Sequence, residues 1–150
     1  MELILWRHAQ AENGTLDSAR QLTNKGMDQA ERIAKWLNAK LPENARIIVS
    51  PAQRAQQTAA ARGRSFLTDE NVGLSATAKT VLAVANWPNV EGVVVIVGHQ
   101  PTLGEVATLL VSDDLTTLNF QTGELKWFNS TDEQGAITSV LQHNVCPDML

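Results

Sequence analysis

Apolar positions along this chain fall into two patterns, short unbroken runs and helical repeats. The first run, Leu3-Ile4-Leu5-Trp6, lies between Glu2 and Arg7-His8. Four apolar residues in succession predict a strand buried on both faces, as in the middle of a parallel sheet. Ile47-Ile48-Val49 predicts a second short buried strand. Val93-Val94-Val95-Ile96-Val97 predicts a third, wholly apolar and β-branched. Helical spacing appears at Ala30, Ala34, Leu37 and Leu41, with Met27 and Ile33 on the same side. That spacing predicts an amphipathic helix over 24–40, capped by Thr23 and stopped by Pro42. Trp36 on this helix reads as packing.

The next helix has a strong local start signal in Ser50-Pro51-Ala52-Gln53. Ser50 can cap, Pro51 suits the first helical position, and Gln53 can close a capping box. The helix is expected to run to about Arg62 and to end at Gly63. It puts Arg54 in its first turn, beside the free N–H groups of a helix start, where anions are favoured. Residues 64–76 read as a loop. A third helix is expected over 77–86, with Ala78, Val81, Leu82 and Ala85 inward. A fourth follows Pro101, with Leu103, Val106, Ala107 and Leu110 inward. Residues 112–123 read as irregular. Residues 124–128 and 136–142 read as two strands joined by the turn at 132–135. A hairpin is antiparallel, so the sheet should be mixed.

The 150 residues suit one domain, 1–150, with a substantial core. The net charge of −4 argues against general nucleic-acid binding. No apolar run has membrane-spanning length, and the N-terminus lacks the pattern of a signal peptide. The single cysteine, Cys146, excludes an internal disulfide and suits a reducing, cytoplasmic setting.

Three strand ends carry chemistry: Arg7-His8, Ser50 leading to Arg54, and His99 after Gly98. In a parallel sheet such ends share one edge, where open α/β folds bind their ligands. Each residue alone has a plainer reading: a structural histidine, or for Arg20 a solvated charge. Together, two histidines, two arginines and inward-pointing helix starts suit an anion, since a guanidinium grips a phosphoryl group through two parallel bonds. No carboxylate is needed to balance this charge, because the ligand would itself be an anion. His143 reads as structural or solvated.

Four stretches carry a family resemblance. They are strand-Arg7-His8, Leu22-Thr23-Asn24-Lys25-Gly26, the run from Ser50-Pro51 through Arg54-Ala55 to Thr58, and Gly98-His99-Gln100-Pro101. In this order they resemble the histidine phosphatase (phosphoglycerate-mutase-like) superfamily over roughly residues 1–110. The short chain and Arg20-Gln21-Leu22-Thr23 look most like its small bacterial branch, the SixA-type phosphohistidine phosphatases. The resemblance implies a three-layer α/β/α sandwich with a mostly parallel sheet and a C-terminal antiparallel hairpin. It implies that His8 is the nucleophile of a phosphohistidine intermediate. Arg7, Arg54 and His99 would bind the phosphoryl oxygens, with Arg20 a further phosphate or substrate contact. It implies a hydrolase that uses no metal or other cofactor. Its substrate would be a phosphohistidine-bearing protein or a small phosphorylated molecule, with no nucleic-acid or membrane partner.

Two departures stand out: Ala9 replaces the family's usual glycine, and Leu74-Ser75-Ala76 holds no carboxylate where larger relatives carry a general-acid glutamate. Glu70 lies nearby, out of register. Among other classes, a cysteine phosphatase is excluded because Cys146 has no arginine after it. A P-loop lacks its Gly-Lys-Ser/Thr ending. A metal hydrolase needs more ligands than Glu12, His8 and His99 offer. The alternatives left open are a broad phosphomonoesterase or mutase of the same superfamily and an inactive phosphate-binding module.

Overall fold

The computed structural model describes residues 1–111 and 118–150. Among these residues six strands form one sheet: β1 (Glu2–Arg7), β2 (Arg46–Val49), β3 (Leu67–Thr68), β4 (Val93–Gly98), β5 (Leu125–Glu133) and β6 (Ala136–Val145). Their spatial order is β3-β2-β4-β1-β5-β6. The pairs β3·β2, β2·β4 and β4·β1 are parallel, and β5 runs antiparallel to both β1 and β6. The expected mixed sheet is therefore present. One detail differs: β1 lies at the junction, with a parallel neighbour on one side and an antiparallel one on the other.

Among the described residues, four helices cover the sheet: α1 (Asn24–Asn38), α2 (Gln53–Ala60), α3 (Ala78–Ala85) and α4 (Thr102–Val111). Alternation along β1 sorts the two cores. Ile4 and Trp6 pack with Ile33, Leu37, Ala55 and Ala59 from α1 and α2. Leu3 and Leu5 pack with Val81, Ala85, Leu103 and Val106 from α3 and α4. All four β1 side chains are fully buried, each stabilising the fold by about 1.5–3 kcal/mol or more. This is the α/β/α sandwich.

Thr23 caps α1 by accepting from the Gly26 N–H at 2.9 Å. Met27, expected inward, is exposed, and the polar Gln29 is buried in its stead. Gln29 Oε1 accepts from the Gln10 backbone at 2.9 Å, so this face grips the loop after β1. Trp36 does pack, meeting Trp127 and His143 edge-on at 6.2 and 5.4 Å.

The start of α2 is a correction. Its N-cap residue is Ala52, with no side-chain cap, and helix begins at Gln53. Ser50 and Pro51 form the turn before it, in which the Ser50 Oγ accepts from the Ala52 N–H at 3.1 Å. The helix ends at Ala60, short of the expected Arg62, and Gly63, at φ 65°, lies in the turn after it. The stretch read as a loop over 64–76 contains β3 and a 3₁₀ turn, Glu70–Val72. Two residues of edge strand leave too little periodicity to read. The hairpin strands are longer than expected and turn through Gln134-Gly135, both at positive φ, as a tight hairpin turn needs. Of the stretch read as irregular, 112–117 lies outside the described residues, and 118–123 forms no strand or helix.

Candidate active site

The parallel strands end together. Register pairs Arg7 with Gly98 and Val49 with Val97, so β1, β4 and β2 deliver His8, His99 and Ser50 to one edge. A pocket of about 430 Å³ opens there, lined among others by Arg7, His8, Asp17, Arg20, Arg54 and His99. All five residues singled out from the sequence meet in it.

His8 is 7% exposed, and its backbone is tied on both sides. Its N–H donates to the Gly98 carbonyl, and its carbonyl accepts from the Gly123 N–H, each at 3.0 Å. On the ring, Nδ1 lies 2.8 Å from the Ala9 carbonyl. A carbonyl only accepts, so Nδ1 carries the hydrogen and Nε2 keeps its lone pair. Burial pushes the His8 pKa down to about 3, with His99, Arg54 and Arg7 acting in the same direction and the Ala9 bond opposing. His99 is pushed down to about 4 by burial, then by Arg54 and Arg7, with Asp17 opposing. Both rings are therefore neutral at pH 7, with centroids 5.2 Å apart.

The arginines are held from behind. Arg7 Nη1 donates to the Phe120 carbonyl at 2.7 Å. Arg54 Nη1 donates to the Asp17 carbonyl at 2.7 Å, and its Nη2 reaches Asp17 Oδ2 at 3.3 Å. Arg20 donates from Nε to the Glu12 carbonyl and from Nη1 to Asp17 Oδ1. Asp17 thus bridges Arg20 and Arg54, a carboxylate at the site that charge balance with an anionic ligand does not call for. Sequence reading missed it because Asp17 sits in an irregular polar stretch with no periodicity. Arg20 Nη1 holds the Asp17 carboxyl below the usual carboxylate range, with a further pull from Arg54.

Thr58 was also missed as a site residue, although it closes the run that begins at Ser50. Its Oγ1 donates to the Arg54 carbonyl at 2.7 Å and accepts from the Ala9 N–H at 3.0 Å. One hydroxyl so joins the arginine helix to the histidine loop. The methyl of Ala9 is fully buried beside Leu22 and Ala30, so it fits where a glycine was expected. At the place of the missing acid, Leu74 reaches the pocket. Ser75 and Glu70 line an adjoining hollow instead.

Residues 3–72 match the model of the histidine phosphatase superfamily, branch 1. A solved structure of the protein histidine phosphatase SixA, complexed with tungstate, superposes with a TM-score of 0.83 at 25% identity, over 99% of each chain. Over residues 3–72 the chain is similar to the histidine phosphatase superfamily, and its fold is the one SixA has. It is also similar to a structure described as a candidate SixA phosphohistidine phosphatase of Agrobacterium tumefaciens. That match has a TM-score of 0.78 at 25% identity and covers 97% of this chain and 98% of the other. The phosphohistidine phosphatase SixA of Escherichia coli K12 is 39% identical over 59 residues, which span 39% of this chain. That stretch spans little more than a third of the relative's length, 37%. The fold expected from the family is the one observed.

Proposed function

We propose that this chain is a phosphatase whose His8 Nε2 attacks a phosphoryl group, and that its substrate is phosphohistidine carried on a protein. The observation that carries the reading is the Ala9 carbonyl bond to His8 Nδ1. It leaves a neutral imidazole with its Nε2 lone pair free, in a pocket lined by Arg7, Arg54 and His99. A neutral ring needs no base to become a nucleophile. In the proposed reaction Nε2 forms a bond to phosphorus as the bond to the leaving group breaks, and water then cleaves the His8 phosphoramidate. Arg7, Arg54 and His99 hold the equatorial oxygens, and positioning and charge stabilisation lower the barrier. Arg20 contacts the substrate from the rim. A SixA relative bound to tungstate, a tetrahedral oxyanion, supports the anion reading.

The choice of substrate rests on the leaving group. An alkyl phosphate leaves as a poor alkoxide unless an acid protonates it. A phosphohistidine protonated at its far ring nitrogen leaves as neutral imidazole. With Leu74 in the pocket where an acid is expected, P–N cleavage is favoured. The protein relatives named for phosphohistidine support this choice. A cytoplasmic setting belongs to the proposal, supported by the single free thiol, Cys146.

The test compares kcat/KM for a phosphohistidine-bearing protein and for phosphoramidate with that for several alkyl phosphates. Higher efficiency on the P–N substrates, an acid-labile and base-stable label on the enzyme, and loss of both in His8→Ala are expected. Equal or better turnover of alkyl esters would refute the substrate class. Near-normal activity of His8→Ala would refute the nucleophile.

A further inference from the structure

Ser50 stands at the carboxyl end of β2 with no exposed surface. Its hydroxyl has one hydrogen to donate and lone pairs to accept with. The Ala52 N–H donates to Oγ at 3.1 Å, and His99 Nε2 lies 2.8 Å from the same oxygen. Neither a carbonyl nor a carboxylate is within bonding reach of Oγ among the described residues, so Nε2 is the acceptor open to the hydroxyl hydrogen. A buried hydroxyl that leaves its hydrogen unused is destabilising, which favours this donation. The other ring nitrogen, Nδ1, is buried and has no hydrogen-bond partner among the described residues.

We infer that Ser50 sets the tautomer of His99: the serine hydroxyl donates to Nε2, and the imidazole hydrogen is held on Nδ1 as a donor for the pocket. The two histidines then have matched but opposite arrangements. His8 spends its Nδ1 hydrogen on the Ala9 carbonyl and keeps a lone pair at Nε2. His99 receives the Ser50 hydrogen at Nε2 and keeps a hydrogen at Nδ1. One neutral ring attacks and the other donates. The opposite tautomer of His99 places a lone pair at Nδ1, which repels phosphoryl oxygens.

The catalytic consequence rests on the phosphatase reading, but the tautomer does not. Ser50 is on this account a positioning residue, acting through His99. It was read from the sequence as the cap of α2. In the structure its Oγ accepts the Ala52 N–H in the turn before α2, whose N-cap is Ala52, and its hydrogen is left for His99.

The test is imidazole ¹⁵N NMR at pH 7, where only three histidines need assignment. In the wild-type chain, His99 should show a protonated Nδ1 and a pyridine-like Nε2. Ser50→Ala should lose that preference, and Ser50→Thr, which keeps the hydroxyl, should restore it. Activity on phosphoramidate should fall about 10- to 100-fold in Ser50→Ala, the usual cost of removing a group that orients a functional imidazole, and recover in Ser50→Thr. A wild-type His99 protonated at Nε2 would overturn the inference without any variant having to fold. So would a Ser50→Ala chain that loses activity with Nδ1 still protonated. A wild-type chain inactive on every phosphorylated substrate would refute the phosphatase reading instead, and the spectrum would still decide the tautomer.

Discussion

Consider folding stability as the pH falls from 7 to 5. His8 and His99 titrate at about 3 and about 4 in the folded chain, against 6.5 when unfolded. Between these values the unfolded state binds more protons, so stability rises with pH and acid removes it. The contribution is fully present above the unfolded value and is lost progressively as the pH falls toward the folded ones. Each pH unit inside that window removes about 1.4 kcal/mol per group. From pH 7 to pH 5 each ring loses about 2 kcal/mol and the pair about 4 kcal/mol. Both rings are 7% exposed, so solvent screening takes little from these figures. The lowered Asp17 carboxyl acts only below its own unfolded value of 3.8, outside the window. Urea unfolding followed by tryptophan fluorescence at pH 7, 6 and 5 measures the effect, and fully buried Trp6 is a suitable reporter. The midpoint should fall by at least about 1 M. His8→Asn and His99→Asn should each remove about half of the pH dependence, whatever they do to stability at pH 7. A flat midpoint between pH 7 and 5, or single variants with the full wild-type slope, would refute the reasoning.

Arg54→Ala should lower kcat/KM by about 10²–10³, the usual loss when a donor to transition-state charge is removed, while circular dichroism reports a shift of only a few degrees in Tm. Lys126 and Glu124 form a buried pair at 2.7 Å, so Lys126→Met strands a buried carboxylate and should cost about 3–5 kcal/mol in urea unfolding. The double variant with Glu124→Gln should recover most of that; no recovery would mean that the pair is not what holds the region. A Cβ at Gly26 collides with the Gln10 backbone carbonyl, so Gly26→Ala should destabilise by about 1–3 kcal/mol despite alanine's helix preference. Because Gln10 lines the pocket, KM should rise as well, and an unchanged KM would separate that contact from the site.

How far the sequence could be read depends on the length over which a signal repeats. β1 and β4 were legible because every residue is apolar and both faces are covered. α1 was legible because Thr23 caps it and the apolar spacing persists over four turns. β3 was not, since two exposed residues carry no pattern. Ser50 was misread for a physical reason. A serine before a proline and an upcoming helix is a good cap locally, and its Oγ does accept the Ala52 N–H. But the helix starts two residues later than such a cap implies, and the bond to His99, distant in sequence, gives no local signal. Asp17 escaped for the same reason. Its partner Arg54 lies 37 positions away, and nothing in the intervening sequence reports the contact. The residues that face the pocket were legible through their places at strand ends. Those that hold them in place were not, because their bonds run between elements.

The same burial that makes the site acid-sensitive also explains how two histidines can share it with two arginines. A protonated ring here would meet Arg7 and Arg54 in a poorly solvated pocket, so both rings shed their charge. The positive charge that remains is fixed on guanidiniums, which cannot lose it near neutral pH. In the proposed reaction this divides the work: arginines bind the anion, and the histidines are free to act as nucleophile and hydrogen-bond donor without a proton being removed first. Asp17 fits the division because it lies on the outer side of Arg54, 59% exposed, where it can orient the guanidinium without cancelling the field deeper in. An aspartate beside His8 would do the opposite, raising the ring toward protonation and taking away the lone pair on which the proposed attack depends.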